Sequence, residues 1–293
     1  RTILVGFAFF LISAFWQAYD TIVPLILTNK FNMEQTYSGI IMSLDNIFAV
    51  VLLPIFGTLS DKTMTKFGKR TPYITVGTVL AAFFLILLGF TPKLILFILV
   101  LLACLLSMAT FRSPAVALMP DVTIKPLRSK GNAIINLMGT AGGIIVLAFG
   151  SIFSTGKNLT MRYTGYVLAV CGVMLVGLFV FLLTVKEKKW ADEMEEESKR
   201  LGLDEEANEE KKEDSGVRII AEKKDGKLVK QGGLSKEQFT SLMLILASVA
   251  LWYIGYNSIT SKYSVYAVNE LGVDYGLTLI VAQAAAIVSY IPV

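Results

Sequence analysis

The sequence predicts an all-α membrane protein, and three observations carry that prediction. Of 293 residues, 54% are hydrophobic and 17% charged, with a mean hydropathy of +0.63; a soluble domain has roughly 45–50% apolar and 25% charged residues. Eight apolar runs are of the length a helix needs to cross a bilayer core of about 30 Å, roughly 20 residues. The charges are crowded, because 13 of the 27 basic and 16 of the 23 acidic residues lie between Lys186 and Glu237. Too few remain elsewhere to clothe a globular surface.

The runs cover 2–27, 38–60, 72–90, 94–119, 132–153, 164–185, 238–267 and 275–293. In lipid every backbone polar group must be satisfied internally, so runs of this length are helices, and the alternation of a barrel strand is absent. The first run is longer than the core of a signal peptide, and no small-residue cleavage site follows it. Pro72 opens the third at a favourable first-turn position. In the fifth, Gly139, Gly142 and Gly143 read as a packing face. The expected domains are a six-helix bundle over 1–185, a charged connector over 186–237 and the start of a second bundle over 238–293. The connector, rich in Glu and Lys and mixed in sign, is expected to be a solvated helix or disordered. Arg1 in place of an initiator Met, and an apolar run reaching Val293, read as a fragment of a longer chain that lacks about four further helices.

Composition excludes much chemistry. There is no histidine, so the commonest general base and neutral metal ligand are both missing. Cys104 and Cys171 lie inside apolar runs and indicate neither a disulfide framework nor a zinc site. Gly68-Lys69 lacks the upstream spacing of a phosphate-binding loop, and no strand–glycine–helix dinucleotide unit appears. The expectation is no enzyme, no cofactor and no metal. The net charge of +4 does not point to nucleic acid, because the basic residues sit in short loops between apolar runs. Loops 61–71 and 120–131 hold Lys62, Lys66, Lys69, Arg70, Lys125, Arg128 and Lys130, against Lys30, Lys93, Lys157 and Arg162 on the other side. That bias places the amino terminus, loop 61–71 and segment 186–237 in the cytoplasm of a multi-pass cell-membrane protein. Asn158-Leu159-Thr160 matches a glycosylation acceptor on the outer side, a tripeptide common by chance.

The loop after the second run is the most patterned stretch. Gly57-Thr58-Leu59-Ser60-Asp61-Lys62 is followed by Phe67-Gly68-Lys69-Arg70-Thr71-Pro72. Gly57 admits a neighbouring helix closely. Asp61 can cap a helix or pair with a basic side chain across the cytoplasmic face, a latch that breaks when helices rock. A second signature is Arg112-Ser113-Pro114-Ala115-Val116-Ala117-Leu118-Met119-Pro120-Asp121, followed by Arg128, Asn132 and Asn136.

These stretches, with Gly255-Tyr256-Asn257 and Asn269-Glu270-Leu271-Gly272, resemble the major facilitator superfamily. Within it the chain resembles the glycoside–pentoside–hexuronide:cation symporters, and more closely their sucrose/proton branch. The resemblance implies a major facilitator fold, with an amino-terminal six-helix bundle and the first two helices of a truncated carboxy-terminal bundle around a central sugar pocket. It also implies a cytoplasmic gate at Gly57, Asp61, Lys69, Arg70, Asp121 and Arg128. Melibiose-type members carry a sugar-binding aspartate where this chain has Arg112, and in plant sucrose carriers the functional arginine aligns nearer Val116. The melibiose-type sodium site needs acids where this chain has Ala49 and Leu53, which favours proton coupling.

Ionisable residues at membrane depth are costly and are functional or paired. Asp20 lies about 10 Å and Asp45 about 12 Å from the outer surface at 1.5 Å rise per residue, on antiparallel helices and so at one level. Two ionised carboxylates at one level in low dielectric repel, and a shared proton relieves them. That links protonation to the binding of sugar hydroxyls. The alternative is a packing Asp bonded to a neighbour such as Asn46. Trp16, Gln17 and Tyr19 flank Asp20 and offer stacking faces and an amide, although aromatic residues near the interface are also ordinary belt residues. Arg112, about 10 Å from the inner surface, needs a partner or snorkels. Tyr253, Tyr256 and Asn257 are expected in the pocket, while Lys262 either snorkels or pairs with an acid.

The expected function is proton-coupled symport of a sugar or glycoside by alternating access, with coupling at Asp20, Asp45 and Arg112 and sugar contacts from Trp16, Gln17, Tyr19, Asn46, Tyr253, Tyr256 and Asn257. The expected partners are a small-molecule sugar or glycoside, a proton and the lipid bilayer, with the chain a monomer. The rivals are another cargo, such as a lysolipid or hexuronide, and a non-transporting sensor or scaffold.

Overall fold

The computed structural model describes residues 1–155, 160, 161, 163–203, 239–248, 250–252, 254, 255, 266 and 270. Tyr253, Tyr256, Asn257, Lys262, Asn158 and the last apolar run lie outside the described residues. The chain divides into two units, Arg1–Asp192 with Thr260–Val293, and Glu193–Ile259.

In the first unit, helix α1 (Thr2–Leu25) passes into a π-helical turn, Ile26–Lys30. Helices α2 (Gln35–Met42) and α3 (Leu44–Lys62) follow, separated only at Ser43, then α4 (Thr71–Phe90), α5 (Leu94–Asp121), a 3-10 turn at Lys125–Leu127 and α6 (Arg128–Phe153). A two-residue antiparallel pairing of Ser154–Thr155 with Thr160–Met161 leads to α7 (Tyr163–Thr184), and α8 (Glu187–Arg200) comes after it. Among the described residues six helices, counting α2 and α3 as one span over Gln35–Lys62, are long and apolar enough to cross a membrane. The chain is thus an all-α, multi-pass membrane protein.

Three element ends differ from the sequence expectation. The first run ends as an α-helix at Leu25, and its continuation widens into the π turn, closed by Phe31 N–H donating to the Ile26 carbonyl at 3.1 Å. Pro24 has no N–H to continue the regular ladder, and the Thr28 hydroxyl donates to its carbonyl at 2.8 Å. The second run starts earlier, at Gln35, and breaks at Ser43, whose hydroxyl donates to the Ile40 carbonyl at 2.7 Å. The fifth starts at Arg128 rather than 132, because apolar periodicity does not register a polar first turn.

Lipid offers no hydrophobic drive between helices, so association rests on close packing, and small residues make it possible. α1 packs on α6 and α7, α4 on α5 and α7, and α3 on α5. A Cβ at Gly142 of α6 would fall 2.7 Å from the Phe10 carbonyl oxygen of α1, and one at Gly77 of α4 would fall 2.7 Å from Phe111 Cβ of α5. Backbones therefore meet nearly directly at both seams. The core lies between these helices and includes Phe15, Tyr19, Phe97, Phe111, Tyr166 and Phe181, all fully buried.

The segment from Lys186 is helical at its start, with Lys186, Lys188 and Lys189 exposed and two residues turned inward. Glu187 is 3% and Trp190 8% exposed, and the Arg1 guanidinium lies 5.8 Å from the Trp190 ring. In the second unit α8 turns polar, with Lys199 and Glu195 in an i,i+4 pair at 2.6 Å, and helical backbone recurs at 239–248.

Candidate functional site

Two clusters bring the sequence candidates together, one within the spans and one at the ends of α3, α4 and α5.

Within the spans, Trp16 of α1, Asp45 of α3 and Arg112 of α5 line one cavity with Phe48, Ala49, Leu53, Leu105, Met108 and Ala109. The break at Ser43 puts Asp45 in the first turn of α3, where the positive end of the helix dipole favours a carboxylate. The Arg112 guanidinium stands over Trp16, 5.0 Å from the ring centroid, a cation–π contact worth roughly 0.5–2 kcal/mol when partly desolvated. Its charge also attracts the Asp45 carboxylate. Asn46 Nδ2 donates to Asp45 Oδ1 at 2.9 Å. The Trp16 indole N–H is buried and has no acceptor among the described residues. The cavity itself holds about 10 Å³, the room of a single water.

The other candidates sit around this cavity rather than in its lining. Asp20 is partly buried on α1. Tyr19 is fully buried, stacked on Phe15 at 6.3 Å and edge-on to Trp16 at 5.4 Å. Its hydroxyl is buried without a partner among the described residues. Gln17 faces α6, its Oε1 3.6 Å from where a Cβ at Gly143 would stand. Asn46 is exposed and touches the cavity only through Asp45.

At the helix ends, Arg70 is the hub. Its Nη2 pairs with Asp61 Oδ1, its Nη1 donates to Ser60 Oγ, and its Nε donates to Asp121 Oδ2 at 2.8 Å. A fourth guanidinium contact reaches the Gly57 carbonyl at 3.5 Å. Burial alone would lower the Arg70 pKa, but Asp121 and Asp61 outweigh it and hold the guanidinium above its ordinary value. One side chain thus ties α3 and α5 to the start of α4. A Cβ at Gly57 would lie 2.9 Å from Ser113 Oγ of α5, which is how closely these two helices approach here. Arg128 closes the α5 end, donating from Nη2 to the Pro120 carbonyl at 3.0 Å and from Nε to the Thr123 carbonyl at 3.2 Å. The Lys69 side chain is exposed, whereas its backbone N–H is engaged.

That engagement involves a residue the sequence reading did not single out. Glu187 Oε1 accepts from Lys69 N–H at 2.6 Å and Arg70 N–H at 2.8 Å, and Oε2 accepts from Thr71 N–H and Thr71 hydroxyl at 2.7 Å each. The first N–H groups of α4 have no intrahelical acceptor, and this carboxylate supplies one. The turn before it is closed by Thr65 and Gly68, with Gly68 at φ +123°, a backbone region open to glycine. Glu187 is one acid among many in a charged segment. Its single distinguishing signal is that it stands two residues beyond Val185, where the sixth apolar run ends.

A 152-residue stretch, 44% of this chain, is 25% identical to the sucrose transport protein SUC3 of Arabidopsis thaliana and spans a quarter of that protein's length. Residues 5–293 match the family described as the Major Facilitator Superfamily. That match runs through every membrane-length helix described above, and the chain belongs to the major facilitator superfamily of transporters.

Proposed function

We propose that this protein is a proton-coupled symporter of a sugar or glycoside that works by alternating access. The observation that carries the reading is the cavity where Trp16, Asp45 and Arg112 converge. An aromatic face, an acceptor and a charged donor are what a polyhydroxylated ring needs for stacking and orientation. Asp45 is the proposed proton carrier, with Asp20 as the second carboxylate that feels its charge. Ala49 and Leu53 line the same cavity and carry no oxygen ligand for sodium, which favours the proton. The similarity to a sucrose transport protein supports a sugar cargo. A cavity with the room of one water supplies only part of a sugar site. The Arg70 hub, with Gly57, Asp61, Lys69, Asp121 and Arg128, is the proposed gate on the cytoplasmic side. The amino terminus and segment 186–237 share that side of the cell membrane.

A second reading rests on Arg112. A guanidinium in the cavity wall suits the carboxylate of an acidic sugar such as a hexuronide, on the same scaffold and with the same coupling.

The test is uptake into proteoliposomes holding the full-length protein and an internal pH-sensitive dye. Neutral glucosides and galactosides are compared with hexuronides, in the native protein and in Asp20→Asn and Asp45→Asn. Neutral-sugar-dependent acidification that is lost in Asp45→Asn is the expected result. Acidification with hexuronides alone moves the cargo to the second reading. Sugar binding without acidification overturns proton coupling.

A further inference from the structure

The loop between α3 and α4 has a chemistry that neither the cavity nor the Arg70 hub uses. At its tip Met64 is 85% and Phe67 74% exposed, and Lys62, Lys66 and Lys69 are exposed around them. The loop is built rather than loose. Thr65 Oγ donates to the Gly68 carbonyl at 2.6 Å, and the Phe67 N–H donates to Thr65 Oγ at 3.3 Å. Its far end is fixed by Glu187. Phe67 and Lys66 therefore project from a closed turn.

Charge and position decide what such a tip meets. Loops 61–71 and 120–131 together carry seven basic and two acidic residues. Both acids, Asp61 and Asp121, are spent on Arg70, itself 7% exposed in its side chain. Within these two loops the outward-facing surplus is positive. The loop is also short, residues 63–70 between two membrane-length helices. Its tip consequently lies in or beside the headgroup layer, which is roughly 5–8 Å thick on each side of the hydrocarbon. There a phenylalanine and a methionine bury their apolar surface at the acyl boundary, while lysines reach up to phosphates.

We propose that the 62–69 loop is a docking surface for anionic phospholipid, with Met64 and Phe67 inserted at the acyl boundary and Lys62, Lys66 and Lys69 holding the headgroups. Polybasic juxtamembrane segments draw anionic lipid by roughly fivefold per lysine near the surface. The three lysines together therefore set a local enrichment that neutral lipid does not reproduce. This proposal requires that the chain spans the membrane, and not that it carries sugar.

The experiment uses the full chain with Phe67→Trp, in nanodiscs of equimolar phosphatidylcholine and phosphatidylglycerol, with bromine on the acyl chains of one lipid or the other. Quenching is read as the difference from the same protein with Phe67, which subtracts Trp16, Trp190 and Trp252. The expected result is stronger quenching by brominated phosphatidylglycerol, with the preference abolished by Lys62→Gln, Lys66→Gln and Lys69→Gln together and weakened by added salt. Equal quenching by both lipids overturns the proposal, as does a preference that survives the lysine substitutions. Quenching by neither lipid also overturns it, placing the tip in water where an acidic soluble partner is the remaining occupant.

Discussion

The Glu187 carboxylate accepts two hydrogen bonds from Thr71, one from its backbone N–H and one from its hydroxyl, each at 2.7 Å. Hydrogen bonds to a charged acceptor are worth about 1.5–3 kcal/mol, and orphaning buried donors costs about as much again. Glu187→Ala removes the acceptor for Lys69, Arg70 and Thr71 at once, and the expected loss of stability is about 3 kcal/mol. Glu187→Gln keeps one acceptor oxygen but turns an amide against the remaining N–H groups, so it recovers less than half of that. Denaturant titration in detergent micelles measures both. Identical midpoints for native protein and Glu187→Ala would contradict this account of the α4 start.

Arg70 makes contacts that only a planar fork can make simultaneously, to Asp61, Asp121 and Ser60. Lysine is a point charge with no such geometry. Arg70→Lys should therefore destabilise by about 1–3 kcal/mol despite keeping the charge. Asp121→Asn should cost more than Asp61→Asn, because the Asp121 side chain is 35% exposed and that of Asp61 58%. Solvent screens the more exposed partner. Thermal unfolding of the three variants ranks them, and an Asp61→Asn effect larger than that of Asp121→Asn would count against burial as the deciding factor.

Asp45 and Arg112 share a cavity and attract one another. Neutralising either leaves the other charge at membrane depth, and neutralising both leaves neither. The double variant Asp45→Asn with Arg112→Gln should thus be more stable than the sum of the single losses implies, with a coupling of about 1–2 kcal/mol. Strict additivity in the four-variant cycle would show that the two side chains do not act as a pair.

Two glycines give a contrast of opposite sign. At Gly77 an added methyl meets the Phe111 backbone nitrogen at 2.9 Å as well as its Cβ, whereas at Gly172 nothing stands within 4 Å. Gly77→Ala forces α4 from α5 and should cost about 2 kcal/mol. Gly172→Ala adds helix propensity without a clash and should be neutral or stabilising by up to about 1 kcal/mol. Melting curves of the two purified variants decide it, and equal shifts would refute the seam geometry.

The helices were legible because lipid imposes one rule on the whole backbone, and runs such as 94–119 announce themselves by length. Their ends were less so. The π turn after Leu25 and the break at Ser43 come from local backbone and side-chain hydrogen bonds that hydropathy does not register. Within the site, counting residues from the helix ends places Asp20 and Asp45 at one depth. Depth is a one-dimensional measure, however. Which of them faces Arg112 depends on rotation about the helix axis, and Asp45 is the one in the cavity lining. Glu187 was invisible for a different reason. In a stretch of alternating Glu and Lys a buried carboxylate has the same letter as its solvated neighbours, and only the unpaired N–H groups of another helix give it meaning.

The seam between α1 and α6 has a mechanical consequence. At Gly142 a carbonyl of α1 occupies the space where a side chain would stand, and at Gly139 the Ser13 hydroxyl does the same at 2.7 Å. Sliding one rod along the other would drag the Phe10 carbonyl over Gly142, and would also push Met138 of α6 across Gly6 of α1. The two helices are in effect held as a single stiff plate, whereas α3 buries little of its surface, with Ser60 its one buried residue.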